Sequence, residues 1–190
     1  MHISVKTIIG GLWGVAGLVW LVGALTAKRT ARTQSAASRL LQLVLGGATI
    51  GIGFTRWFAF DPLTRTFVPN LPVVTYAGIV LTLAGIGLAI WARVLLGGNW
   101  SSAVTVKQDH SLVRRGPYAV VRHPIYSSFL LALVGTAVTF REVRALLAVG
   151  IAFLMFCIKL RIEERFMTAE FGADYREYQR QVKALIPFVY

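Results

Sequence analysis

Cysteine occurs once in the 190 residues, at Cys157 within an apolar run. A single cysteine excludes an internal disulfide and any cysteine-based metal cluster. Cys157 reads as a small buried hydrophobe, and no metal site is expected. Acidic residues are also scarce, 8 Asp and Glu against 20 Lys and Arg, for a net charge of +12. Such a surplus can mean nucleic acid, but nucleic-acid binders gather their charge on a soluble polar face. Here the basic residues fall between apolar runs, where headgroup attraction and topology control account for them. No nucleic-acid partner is expected. No cleavable signal is expected either: the first apolar run ends in Ala27-Lys28-Arg29, the reverse of the usual signal order. That run reads as a retained helix.

What is abundant is apolar surface. Hydrophobic residues make up 56% of the chain, with a mean hydropathy of +0.64, against about 45–50% in soluble domains. One soluble core of this size could not bury that surplus; a bilayer can accept it. Ile8 to Thr26, Leu40 to Phe60 and Val73 to Leu96 are each long enough to cross the hydrocarbon core. Gly10, Gly11, Gly14 and Gly17 on the first run, and Gly46, Gly47, Gly51 and Gly53 on the second, have the small-residue spacing that favours close helix contact in lipid. Those two spans also offer a surface for a second copy of the chain. After a polar stretch from Asn99 to His123, Ile125–Phe140 and Ala145–Leu160 read as a helical hairpin, each arm slightly short for a full span. The charged, aromatic last 30 residues read as a helix packed on the membrane domain. The expected fold is therefore an all-α polytopic membrane bundle of about five spans with a cytoplasmic carboxyl-terminal helical segment. We read it as one domain over residues 1–190, with three amino-terminal spans in 8–96 and a cofactor loop, hairpin and tail in 97–190.

Charge orients it. Lys28, Arg29, Arg32 and Arg39 follow the first span; Lys107, Arg114, Arg115 and Arg122 precede the fourth; the tail from Arg161 carries five more basic residues. Lys6, Arg65, Arg141 and Arg144 are spread thinly over the other side. The positive-inside rule places the amino terminus outside and the carboxyl terminus in the cytoplasm.

Two segments with chemical potential then share the cytoplasmic face. In the first, His123 precedes Pro124, which biases the histidine away from helical geometry, while Pro124 suits a first helical turn. His123 thus sits at the mouth of a membrane helix, either as an anion-binding group or as a cap among interfacial arginines. In the second, Lys159, Arg161, Glu163 and Glu164 close the fifth span. Adjacent carboxylates at a membrane edge are costly unless paired or functional, and Lys159 shares a helix face with Glu163. Gly172 punctuates the tail, with Tyr175 and Tyr178 beyond it and Ile186-Pro187-Phe188 ending it.

In order and spacing, Gly116-Pro117-Tyr118, Arg122-His123-Pro124-Ile125-Tyr126, Glu163-Glu164, Phe171-Gly172, Tyr175, Tyr178 and Ile186-Pro187 resemble the isoprenylcysteine carboxyl methyltransferase family. That family lies within a wider group that includes phospholipid N-methyltransferases. The resemblance covers roughly the last 90 residues. It implies S-adenosylmethionine as methyl donor, contacted by His110, Ser111, Leu112, Val113, Tyr118, His123, Pro124, Ile125 and Tyr126, with Glu163 facing its cationic part. The family's substrate-contacting arginine, four residues before that glutamate, is Lys159 here. Lys159 cannot form the same bidentate fork, and Arg161 or Arg93 could supply it. Lys159, Glu164 and Arg161 are the expected catalytic residues, Glu164 or His123 serving as base should the acceptor be an amine, and the resemblance implies a lipophilic or lipid-modified substrate in contact with membrane lipids. The alternatives are a phospholipid N-methyltransferase, an NADPH-dependent sterol-reductase-like enzyme and a non-catalytic membrane scaffold.

Overall fold

The computed structural model describes residues 4–25, 30–55, 57–97, 105–107 and 112–189. Five helices carry the fold: α1 Val5–Leu25, α2 Ala36–Phe54, α3 Pro72–Leu96, α4 Pro124–Phe140 and α5 Val143–Gln181. Four of them are long and apolar enough to cross a membrane, and α4, with 17 residues, is shorter but equally apolar. The ends follow local chemistry. Ser35 caps α2 by accepting the Ser38 N–H at 3.3 Å, so that helix starts four residues before the expected Leu40. It ends at Phe54 rather than Phe60, where the Thr55 hydroxyl donates to the Gly51 carbonyl at 2.6 Å. Proline opens both α3 and α4, a position with no N–H to lose. Gly97, at φ 55°, closes α3.

The largest departure from the sequence reading is α5. Instead of a short arm followed by a separate tail, one helix runs on through the charged segment until Gly172, whose φ of 53° breaks it. From Val143 to Phe171 no proline intervenes and the one glycine, Gly150, is tolerated in the helix, so nothing halts propagation earlier. At about 1.5 Å per residue, α5 outruns a hydrocarbon core of about 30 Å. The helix also stops at Gln181, short of Ile186-Pro187. Beyond it the chain extends and pairs with the segment before α4: the Arg122 and His123 N–H groups donate to the Lys183 and Ala184 carbonyls at 2.8 and 3.0 Å.

Two short strands, β1 Thr30–Thr33 and β2 Thr105–Lys107, pair antiparallel and add a small ribbon to the helical fold. The pairing puts the α1–α2 and α3–α4 connections at one end of the bundle. At the other end the α2–α3 and α4–α5 connections meet, with Val143 N–H donating to Arg65 O at 2.9 Å and Phe67 N–H to Arg141 O at 2.9 Å. The strongly basic connections therefore share one face, as the charge pattern requires.

Packing is tightest between α3 and α4. A methyl group on Gly85 would lie 2.5 Å from the Ala132 nitrogen, and one on Gly78 would lie 2.7 Å from the Gly135 carbonyl oxygen. Thr82 and Thr136 meet across this seam at 3.3 Å, and the Trp13 indole of α1 donates to Thr136 at 3.1 Å. The glycines expected to bring α1 close to a neighbour do not do so: around Gly10, Gly11, Gly14 and Gly17 nothing lies within 4 Å of a built methyl position. Spacing makes close approach sterically available, but a facing helix must use it.

Candidate active site

His123 occupies the residue before α4 with φ −121° and ψ 60°. It is buried and faces α5. Its Nε2 lies 3.2 Å from Glu164 Oε1, and its Nδ1 lies 3.7 Å from Glu163 Oε2. Those two carboxylates are neighbours in sequence but occupy different environments.

Glu164 is engaged on both oxygens. Arg122 reaches Oε1 through Nη2 at 2.6 Å and Nε at 2.7 Å, and the Gln179 amide donates to Oε2 at 3.2 Å. Arg122 also donates to the Gln179 and Val182 carbonyls. The pair is largely sheltered, at 10% and 17% side-chain exposure, so it binds three segments: the α4 entry, α5 and the extended tail. Glu163 has no such arginine among the described residues. The Tyr126 hydroxyl donates to its Oε2 at 2.7 Å, and its side chain remains 32% exposed. Tyr126 is itself fixed by stacking, with ring centroids 5.5 Å from His123 and 4.8 Å from Phe156.

Lys159 lies one turn before Glu163, its ammonium 5.5 Å from the Tyr126 ring centroid, a cation–π distance. Arg161 is exposed and lines a shallow recess with Glu164 and Gln179. Arg93 is buried at the end of α3, donating to the Gly97 and Gly23 carbonyls at 2.8 and 2.6 Å, and so ties α3 to α1.

Among the residues expected to meet the cofactor, the structure gathers His123, Tyr126 and Glu163 into one cluster. Pro124 forms the first turn of α4, and Ile125 is buried with Ala92 and Tyr118. Tyr118 is a pin: its hydroxyl donates to Ala92 O at 3.3 Å, and its carbonyl accepts from the Tyr178 hydroxyl. Burial, followed by the nearby Glu163 charge, pushes the Tyr118 phenol well above its ordinary pKa, so it stays a neutral donor. Leu112 packs against Met167, Tyr175 and Tyr178, and Val113 against the Ala92–Tyr118–Ile125 cluster. His110 and Ser111 lie outside the described residues. Sequence reasoning left out Arg122 and Gln179 as site residues. Arg122 adjoins His123 and was legible as a charge at the helix mouth, whereas Gln179 carries no sequence signal because only the fold back past Gly172 brings it to Glu164.

This geometry sits within a recognisable relationship. The model of the isoprenylcysteine carboxyl methyltransferase family matches residues 78–169, from the α3–α4 seam through the carboxylate pair. The match takes in just under half of the chain, and over that stretch the chain is similar to that family. A probable protein-S-isoprenylcysteine O-methyltransferase of Oryza sativa subsp. indica is 31% identical over 119 residues, 61% of this chain and 62% of the relative. The cobalt-zinc-cadmium resistance protein CzcN of Cupriavidus metallidurans is 28% identical over 141 residues, 74% of this chain and 57% of the relative. The chain thus spans about six-tenths of the length of these curated relatives. A solved eukaryotic intramembrane Ras methyltransferase, an isoprenylcysteine carboxyl methyltransferase, aligns with TM-score 0.59 at 24% identity, covering 82% of this chain and 54% of its own. That likeness establishes the shared fold.

Proposed function

We propose that the chain is an S-adenosylmethionine-dependent methyltransferase that acts on a lipophilic acceptor at the cytoplasmic membrane face, as one membrane-embedded unit. The match to the family model over residues 78–169 supports the reaction class. The observation that carries the site is the asymmetry of the carboxylate pair. Glu164 is neutralised by Arg122, while Glu163, which forms no ion pair with an arginine or lysine among the described residues, keeps an oxygen face open beside Tyr126. A partly exposed carboxylate that makes no arginine or lysine ion pair among the described residues, with Lys159 only a turn away, suits a cationic ligand.

S-adenosylmethionine, when bound, supplies an electrophilic methyl group on a sulfonium. Glu163 would hold its cationic part, Tyr126 and His123 would fix the orientation of Glu163, and Leu112, Val113, Tyr118 and Ile125 would furnish the apolar wall. His110, Ser111 and Pro124 complete the expected contacts. On the acceptor side, Lys159 would attract an anionic group, with Arg161 at the rim. An acceptor carboxylate is ionised near neutral pH and needs no base, so the protein's task is proximity and alignment. With both oxygens engaged, Glu164 serves such a site better as an anchor for His123 than as a mobile base. An amine acceptor would need deprotonation, for which His123 is the available group. The cytoplasmic placement rests on the basic connections at this end of the bundle.

The deciding experiment is calorimetric titration of the purified, detergent-solubilised chain with S-adenosylmethionine, with NADPH in parallel. Saturable sulfonium binding that Glu163→Gln weakens at least roughly tenfold is expected. Binding of NADPH alone would replace this reading with a reductase, and binding of neither would favour a scaffold.

A further inference from the structure

At the end opposite the carboxylate cluster, α1, α2, α4 and α5 border a half-open cavity of about 850 Å³. Its walls are apolar and aromatic, including Ile9, Trp13, Phe54, Leu133, Phe140 and Phe156, whereas His123, Tyr126, Glu163 and Glu164 line no part of it. Along α5 the lining runs from Arg144 to Phe156, about 18 Å of helix at about 1.5 Å per residue. It therefore reaches from one surface to roughly the middle of a hydrocarbon core of about 30 Å. This is the length and chemistry of an alkyl chain, not of a polar metabolite.

The mouth is basic. Lys6, Arg141 and Arg144 stand there with Glu142. Arg144 is neutralised by Glu142 and also donates to the Thr55 carbonyl. Neither Lys6 nor Arg141 forms an ion pair among the described residues. Arg141 donates to the neutral Asn70 side chain, and its Nε is buried with no hydrogen-bond partner. A buried guanidinium N–H left unmet is costly, and a phosphate oxygen is the acceptor that arginine meets best. Two uncompensated cations over a deep apolar cavity select an anionic amphiphile, with its headgroup at the surface and its chain inside.

We propose that this cavity binds an anionic glycerophospholipid, its phosphate on Arg141 and Lys6 and one acyl chain running toward Phe156. Through Phe156, which stacks on Tyr126, the lipid buttresses the candidate active site from behind. The test is native mass spectrometry of the full chain in neutral detergent with equal amounts of phosphatidylglycerol and phosphatidylcholine. Retained phosphatidylglycerol adducts should predominate, and the preference should fall about fivefold for each basic side chain removed in Lys6→Gln and Arg141→Gln. Arg141→Lys should preserve it, which separates lost charge from lost folding. Gly10→Leu, which lines the cavity with nothing within 4 Å of its added carbon, should remove adducts of both lipids while the chain stays folded. Three results would overturn the proposal: equal retention of the two lipids, loss of preference in Arg65→Gln as large as in Arg141→Gln, or displacement of the lipid by inorganic phosphate.

Discussion

Helices α1 and α3 both carry glycines within an apolar run and put them to opposite uses. On α3, Gly78 and Gly85 let α4 come so close that a single added carbon would collide with the backbone of α4. On α1, the four glycines from Gly10 to Gly17 meet nothing. The difference lies in the partner. Helix α4 answers with Ala132, Gly135 and Thr139, and its hydroxyls stay satisfied within the seam, Thr136 and Thr139 donating to the Ala132 and Gly135 carbonyls at 2.8 and 2.9 Å. Where lipid replaces water, helix association rests on such close van der Waals fit rather than on hydrophobic burial. The rigid seam ends at His123, so the candidate active site stands on the best-fixed part of the bundle. The looser α1–α2 side is where the cavity opens.

This contrast can be broken. Gly85→Leu drives a side chain into the α4 backbone and should cost about 3 kcal/mol or more, read as a large fall in thermal unfolding temperature in detergent. Gly14→Leu, its counterpart on α1, should change stability by less than about 0.5 kcal/mol. Equal losses would mean that α1 packs as tightly as α3.

The two carboxylates offer a finer version of the same test. Glu164→Gln removes the counter-charge of a sheltered Arg122 and should destabilise the chain by about 2 kcal/mol. Glu163→Gln should leave the unfolding temperature nearly unchanged, yet lower S-adenosylmethionine affinity at least roughly tenfold, about 1.4 kcal/mol. If the two variants swapped phenotypes, the roles of anchor and ligand would have to be exchanged. Tyr126→Phe deletes one hydrogen bond to Glu163 and should weaken the same binding only about fivefold, near 1 kcal/mol, with the aromatic stack retained. At the smallest end, Arg65→Gln removes a pair with Asp61 that is 69% and 67% exposed and should leave the unfolding temperature where it was.

Much of this was legible in the sequence because it depends on local chemistry or bulk composition. An apolar surplus of this size requires lipid whatever the tertiary arrangement. Pro124 starts α4 and Gly172 breaks α5, since proline and glycine act on the dihedral angles of their own segment. The basic connections declared a common face, and the β1–β2 ribbon joins two of them there. The run from His123 to Tyr126 and the Glu163-Glu164 pair announced themselves as polar groups at the edges of apolar helices.

Other features needed the fold. The glycine spacing on α1 permits a close contact that the fold does not use, because steric permission is a property of one helix and contact a property of two. The tail's course past Gln181 was not legible, because there its Lys183 and Ala184 carbonyls accept from the Arg122 and His123 N–H groups some 60 positions earlier. Above all, apart from the family resemblance, local chemistry presents Glu163 and Glu164 as equals. Helical geometry turns adjacent side chains about 100° apart, so one meets Arg122 and Gln179 and the other meets Tyr126 and open space. Composition and local punctuation determined a basic, membrane-embedded helical chain with acidic residues at one helix end. Which acid is neutralised was settled only in three dimensions, because charge compensation depends on distance through space rather than along the chain.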